Sequence, residues 1–229
     1  MLKIDSINIS YGHTRILSDI SMELKDNEIL SIVGPNGHGK TTMLRSIAGL
    51  TPPGGGEIWF DGTRIDKSPP RDIVKLGIAL LPEGGGYLPA FTVMENLRLG
   101  TYVNRKGKLE KHLEQAYTLF PWLKERKNQI SWTLSGGERR MLAIARCLMT
   151  SAKILLFDEP TWGVSPRIIK ELVTSVHRLR SMGHSMIIAE SNVQFAAQAA
   201  DSVCLLKNSR LTPLDKALII RERMGEHIF

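Results

Sequence analysis

The chain has 229 residues, 42% of them hydrophobic and 23% charged, with a net charge of +7 and an isoelectric point near 9.5. That length suits one large domain, or a core with a subdomain, and the composition is ordinary for a globular protein. No apolar run approaches the roughly 18 residues of a membrane span, and MLKIDSINIS lacks the charged-then-apolar form of a secretory signal, so a soluble, cytoplasmic protein is expected.

The opening residues alternate: Leu2 and Ile4, then Ile20, Met22 and Leu24, predict half-buried strands. Asp26-Asn27 reads as a turn. ILSIV (29–33) is a continuous apolar run, the pattern of a strand buried on both faces. KTTMLRSIAGL then suits a helix, with Met43, Leu44, Ile47 and Ala48 at helical spacing, and TPPGGG (51–56) ends it. EIWFDG reads as a strand entering a hairpin turn at Asp61-Gly62. From about Leu88 to Thr150 the periodicity is helical, carried by Leu97, Leu109, Leu113, Ala116 and Leu119 and then by Met141 to Met149. KILLFDEP (153–160) resumes the strand pattern, and a helix capped by Ser165 starts at Pro166 and closes at Gly183. SMIIAE and SVCLLK are two more strands, and TPLDKALIIRERMGEHIF (212–229) reads as a short amphipathic helix packed on the core. Strands alternating with helices imply an α/β fold with a mostly parallel sheet. Cys147 and Cys204, far apart in apolar runs, read as buried free thiols. The positive balance fits an anionic partner, whether nucleic acid, nucleotide or membrane surface. The Arg105, Lys106, Lys108 and Lys111 cluster also reads as a solvated face.

GPNGHGKTT (34–42) carries the first chemistry: Gly34, Gly39, Lys40 and Thr41 complete G-x-x-x-x-G-K-[ST] between a buried strand and a helix. Glycines let the backbone of Gly34, Pro35, Asn36, Gly37, His38 and Gly39 turn its N–H groups onto phosphate, and the helix start at Lys40, Thr41 and Thr42 adds its dipole. Lys40 should reach the β- and γ-phosphates, and the Thr41 hydroxyl should ligate Mg²⁺. His38 lies at a variable loop position and reads as a bystander. ILLFDEP (154–160) supplies a buried strand ending at Asp158, a carboxylate able to hold Mg²⁺. Glu159 follows, placed to orient or deprotonate the attacking water. Nucleotide hydrolysis is the default reading of the pair. LSGGE (Leu134, Ser135, Gly136, Gly137, Glu138) precedes another helix and offers a second phosphate-binding surface. One domain has no obvious use for two such surfaces; a head-to-tail dimer does.

The three motifs together, over nearly the whole chain, resemble the ATP-binding subunit of an ABC transporter. The resemblance implies a P-loop NTPase (RecA-like) core with an N-terminal antiparallel β subdomain and an inserted α-helical subdomain. It divides the single nucleotide-binding domain, 1–229, into an α/β ATP-binding core, 1–87 and 151–229, and a helical signature subdomain, 88–150. The implied cofactors are ATP and Mg²⁺. The implied partners are two transmembrane permease subunits, a second ATPase subunit (the same or a different one) and, indirectly, a substrate-binding protein, at the cytoplasmic face of the inner membrane. Tyr11 falls where the family places an aromatic on adenine; a strand-end surface tyrosine is the competing reading. PEGGGYLPAFTVMENL (82–97), the approach to LSGGE and DEPTWGVSP are most similar to the ATPases of branched-chain and hydrophobic amino-acid importers. Glu83 stands where other members carry the glutamine of a mobile loop that senses Mg²⁺ and the γ-phosphate and meets the membrane subunits. Gly84, Gly85 and Gly86 would free that segment to move.

Two positions depart from the family pattern. Ser191 falls where a switch histidine is usual, and His184 sits at the wrong end of that strand to replace it. Ser165 falls where an aspartate is usual. Serine donates one hydrogen bond and carries no positive charge, so hydrolysis is expected to rest on Glu159. An exporter motor is an alternative, since the motor motifs do not encode direction. A nucleic-acid-associated ABC ATPase is a remoter one: Ser135 lies only 95 positions after Lys40, without the long insertion or second cassette of those proteins.

Overall fold

A computed structural model of the protein describes residues 1–103, 109–217 and 219. β1 (Leu2–Tyr11) and β2 (Thr14–Leu24) form a long antiparallel hairpin, and β3 (Ile29–Val33) leads through the phosphate loop into α1 (Lys40–Ile47). β4 (Gly55–Phe60) and β5 (Thr63–Arg64) turn at Asp61-Gly62, and α2 (Pro70–Leu76) and β6 (Ile78–Leu81) follow. The helices α3 (Val93–Gly100), α4 (Leu109–Leu119), α5 (Trp122–Glu125) and α6 (Gly136–Leu148) come next. Then come β7 (Ile154–Asp158), α7 (Pro166–Ser181), β8 (Ser185–Glu190), α8 (Val193–Ala199), β9 (Ser202–Lys207) and β10 (Arg210–Leu214).

Two sheets result. The first is antiparallel, in the order β2-β1-β4-β5; the second has the order β10-β9-β3-β8-β7-β6 and is parallel except for β10. The central strands read as unbroken apolar runs because the second sheet is covered on both faces. Ile29, Val33, Leu155, Phe157, Met186 and Ile188 point into one core with α3, α4, α6, α7 and α8. Leu30, Ile32, Ile154, Leu156, Ile187 and Ala189 point into the other, with α1, α2 and the antiparallel sheet. Alternation along each strand sends successive side chains to opposite cores.

The parallel register decides where chemistry can occur. Val33 pairs with Glu190, Asp158 with Ala189 and Leu81 with Phe157. The loops after β3, β6, β7 and β8 therefore leave the sheet at the same edge, the carboxyl ends of the strands, where open α/β sheets bind ligands.

Several elements escape periodicity or differ from it. The short strand β6 and the helices α2 and α8 lie in segments too brief for a repeating pattern to emerge. Residues 82–92 hold no helix; regular helix begins only at Val93, behind a Thr92–Glu95 capping box. Ser165 occupies the cap position of α7 without a capping hydrogen bond from its side chain. The tail reading needs correction: Thr212, Pro213 and Leu214 belong to β10, which pairs with β9 and so satisfies its backbone groups in a sheet. The remainder of that segment lies largely outside the described residues, as do Arg105, Lys106 and Lys108. Both cysteines are free thiols, but only Cys147 is fully buried, its thiol pushed up to about 12 by burial; Cys204 is half-buried.

Gly34 shows how closely the phosphate loop is packed. A Cβ there would stand 2.2 Å from the Leu206 carbonyl oxygen, a backbone atom of β9 that cannot swing aside. Gly34→Ala is expected to destabilise the fold by roughly 2 kcal/mol, the scale of core overpacking. A drop in the urea midpoint at constant m-value checks this, and an unchanged midpoint would mean that β9 yields.

Candidate functional site

The loop after β3 and the start of α1 wall a cavity of about 370 Å³ that also takes in Tyr11, Glu83 and Glu159. Gly39 stands at the N-cap of α1 with a left-handed φ of 100°, which turns the loop into the helix axis. Lys40 is 5% exposed. Its Nζ donates to the carbonyls of Gly34 (2.7 Å) and Pro35 (3.2 Å) and to Ser191 Oγ (3.0 Å), and it lies 3.1 Å from Glu159 Oε1. The lysine is thus held across the loop mouth. His38 turns its Nδ1 to the Asn36 carbonyl at 3.2 Å and reaches no other group of the site. Tyr11, 51% exposed at the end of β1, stands on the cavity rim, its hydroxyl turned toward Thr51 and Thr42.

The carboxylates lie at the sheet edge. The Thr41 hydroxyl donates to Asp158 Oδ1 at 3.0 Å. Burial raises the Asp158 carboxyl above its usual range, and the charges of Glu83 and Glu159 add to that against the Thr41 hydrogen bond. Glu159 is also buried, which alone would raise its carboxyl. Hydrogen bonds from Ser191 and Glu190 and the charge of Lys40 outweigh burial and hold it below the usual range. Ser191 Oγ lies 2.7 Å from Glu159 Oε1 and 2.8 Å from Asn36 Oδ1, and its backbone N–H donates to Glu159 Oε2 at 3.0 Å. One hydroxyl therefore touches the lysine, the phosphate loop and the carboxylate after β7.

Two residues that the motifs do not mark join this set. Glu190, 1% exposed, accepts from Thr161 N–H (3.1 Å) and Oγ (2.8 Å) and from the N–H groups of Ser191 (2.9 Å) and Asn192 (3.0 Å). It ties the loop after β7 to the loop after β8. Burial, with Glu159 alongside, pushes its carboxyl up to about 7 against the pull of Asn192 and Thr161. An acid closing an apolar run, SMIIAE, was the available signal. Arg140 is the other, 6% exposed on α6.

The LSGGE segment forms a different surface. Ser135 caps α6 in a reciprocal box: its Oγ accepts from Glu138 N–H at 3.3 Å while Glu138 Oε2 accepts from Ser135 N–H at 2.8 Å. The first-turn N–H groups of Gly136 and Gly137 have no intrahelical partner. They face a cavity of about 850 Å³ that runs to Gly163 and Ser165. The two cavities have no lining residue in common. Leu134 is buried beneath the loop.

The ABC transporter family profile matches residues 17–162, from β2 through the loop after β7. This chain belongs to the ABC transporter family. As an ATP-binding cassette of that family it is an ATPase. It is 37% identical to the high-affinity branched-chain amino acid transport ATP-binding protein BraG of Pseudomonas aeruginosa, over 94% of this chain and 92% of that protein. It is 36% identical to the probable branched-chain amino acid transport ATP-binding protein LivF of Archaeoglobus fulgidus, over 92% of this chain and 90% of that one. CbiO1 of Clostridium perfringens, part of the ABC transporter complex CbiONQ, has the same cassette fold. Its TM-score is 0.83 at 28% identity, covering 97% of this chain and 91% of that one. Among the described residues no helix of the cassette is long and apolar enough to cross a membrane.

The raised Glu190 carboxyl gives the cassette a signed pH dependence. The folded protein holds a proton there that the unfolded chain, with a carboxyl near 4.5, releases. Stability from this group is full below about 4.5 and is lost as pH rises toward about 7. The depressed Glu159 acts on the acid side of 4.5, outside that window. Melting temperature should therefore fall between pH 5 and 7.5 more steeply in the parent than in Glu190→Gln, and parallel profiles would contradict it.

Proposed function

We propose that this cassette is the motor of an importer for branched-chain or related hydrophobic amino acids. In this reading two cassettes sandwich ATP, and the closing movement drives two membrane-embedded permeases. The observation that carries it is a buried lysine, a carboxylate and a serine interlocked at the mouth of a phosphate loop, in a chain whose relatives BraG and LivF bear branched-chain transport names.

Incoming phosphate would compete with Glu159 for Lys40. Glu159, ionised at neutral pH, is then released from the ammonium, its basicity rises, and it accepts a proton from the water that attacks the γ-phosphorus while the bond to the β-phosphate oxygen breaks. Ser191 positions Glu159 through both its hydroxyl and its N–H. Thr41, Asp158 and Glu83 are the residues that would hold Mg²⁺. They are oxygen donors, and Asp158, its carboxyl raised first by burial and then by the charges of Glu83 and Glu159, is an acid whose ionised form a divalent cation would stabilise. When bound the cation neutralises phosphate charge.

Ser135, Gly136 and Gly137 open on a cavity separate from the phosphate loop, so within one chain they do not close over Lys40. A second cassette, identical or not, placed head to tail supplies them. Trp132 and Trp162, both more than 60% exposed beside that surface, would be covered by the second cassette. Tyr11 would stack on adenine. The cassette would lie on the cytoplasmic face of the membrane, with a substrate-binding protein selecting the cargo and no nucleic acid involved.

Glu159→Gln is expected to lower kcat about 100-fold or more with little change in KM, and Lys40→Ala to abolish hydrolysis; full turnover in Glu159→Gln would remove the proton-acceptor role. Ser191→Ala should retain ATPase activity at a reduced rate, whereas an unchanged rate would leave Ser191 no part in switching. For the assignment itself, mild-detergent capture from native membranes followed by mass spectrometry should recover two multispan permeases and a second ATPase. The ligand of the associated binding protein then gives cargo and direction, and ribosomes or DNA in place of permeases would overturn the transport reading.

A further inference from the structure

Arg140 lies in the second turn of α6, the helix that begins at the Ser135 cap, and is 6% exposed. Among the described residues its Nη2 reaches only the Trp162 carbonyl, at 3.4 Å, and its Nη1 is buried without a hydrogen-bond partner. A guanidinium keeps its charge in any protein site and offers five donors in a planar fork suited to a carboxylate. Burying one with a donor unspent is costly unless an acid can meet it.

The acids whose charge reaches Arg140 are Glu190, Glu83 and Asp158. Glu190 already receives four donors from Thr161, Ser191 and Asn192. Asp158 is engaged by Thr41. Glu83 is exposed, and among the described residues its carboxylate has neither a hydrogen bond nor an ion pair. It directly precedes Gly84, Gly85 and Gly86, whose φ angles of 82°, 90° and 60° place all three in the left-handed region open to glycine. A Cβ on Gly85 would stand 3.8 Å from Arg140 Nη1, so the unpaired donor lies directly against this loop.

We infer that Arg140 is a counter-ion held ready for Glu83: the guanidinium beneath Gly85 takes up the Glu83 carboxylate when the loop folds back, and Mg²⁺-ATP competes for that same carboxylate. Only the competition rests on the metal role proposed above for Glu83; the latch does not. Arg140 is thereby a positioning residue. Because it stands on α6 and touches the Trp162 carbonyl, it links the state of the Glu83 loop to the signature helix and to the loop after β7.

Two readouts on the full-length protein test this. The first is amide hydrogen exchange over residues 83–87 without nucleotide. Arg140→Met should speed exchange there several-fold, Arg140→Lys should restore part of the protection, and Glu83→Gln should match Arg140→Met with no further gain in the double variant. Equal exchange in parent and Arg140→Met, or an Arg140→Met effect that persists in full on the Glu83→Gln background, overturns the latch. The second is the Mg²⁺ concentration that half-activates ATP hydrolysis at saturating ATP. It should fall several-fold in Arg140→Met, since the competitor is gone, and rise in Glu83→Gln. An unchanged Mg²⁺ dependence in Glu83→Gln strikes the metal role and the competition, and the exchange result then decides the latch alone. Melting curves show that each variant is folded. Should Arg140→Met not fold, Arg140→Gln, uncharged but still a donor, carries the same comparison.

Discussion

The parallel, in-register pairing of β6, β7, β8 and β3 is the constraint on which the rest depends. Hydrogen bonds between parallel strands set neighbouring residues side by side, and the pairing of Val33 with Glu190 and Asp158 with Ala189 brings three chain segments to one edge within a few residues of each other. A slip of one residue would turn Leu156 and Phe157 to the wrong cores and move Asp158 off the edge. The two cores that flank the sheet therefore do more than stabilise it. By holding the register they place Lys40, Glu159 and Ser191 within about 3 Å of one another although 151 positions separate Lys40 from Ser191 in the chain.

The edge gathers an unusual charge balance. Glu83, Asp158, Glu159 and Glu190 gather beside Lys40 and Arg140, and most of the set is buried. Each acid answers this differently. Glu159 keeps its charge through Lys40 and Ser191, Glu190 is pushed toward protonation, and Asp158 is left raised. Such divergence among neighbouring titratable groups is a mark of sites that handle protons and phosphate rather than of structural ion pairs. Ser191 is central to it. It carries no charge, but its hydroxyl and N–H together hold the Glu159 carboxylate from the residue that follows β8.

The helical segment between β6 and β7 is fastened at both ends. Asn96, fully buried, accepts from Leu88 N–H at 2.8 Å and donates to Ser131 Oγ at 2.9 Å, while Ser131 N–H donates to the Phe91 carbonyl. The strand-to-helix passage after Glu83 and the approach to LSGGE are therefore one packed unit. Residues 88–92 and the approach to Ser135 are joined there by side-chain and backbone hydrogen bonds.

Much of this could be read before folding was considered. ILSIV and ILLFD announce strands covered on both faces because apolar residues fill both alternating faces, with only Ser31 and the terminal Asp158 polar, and the glycines and lysine of 34–42 announce phosphate because that backbone can turn its N–H groups inward. Local spacing determined those features, the nucleotide chemistry and the helix starts at Ser135 and Pro166. The tail was misread because apolar periodicity over a few residues cannot separate a last strand from a helix, and the pairing of β10 with β9 is a long-range choice. Nor does any local pattern bring Glu190 to Thr161, or set Arg140 under Gly85 with a donor unspent, since each pair meets only through the packing of segments distant in sequence. The sequence by itself determined which side chains and glycines stand in the phosphate-loop, strand-end and LSGGE motifs. The tertiary structure decided which acid stays ionised, which is driven toward its neutral form and which stays exposed, because burial and neighbouring charge, not residue type, set those states.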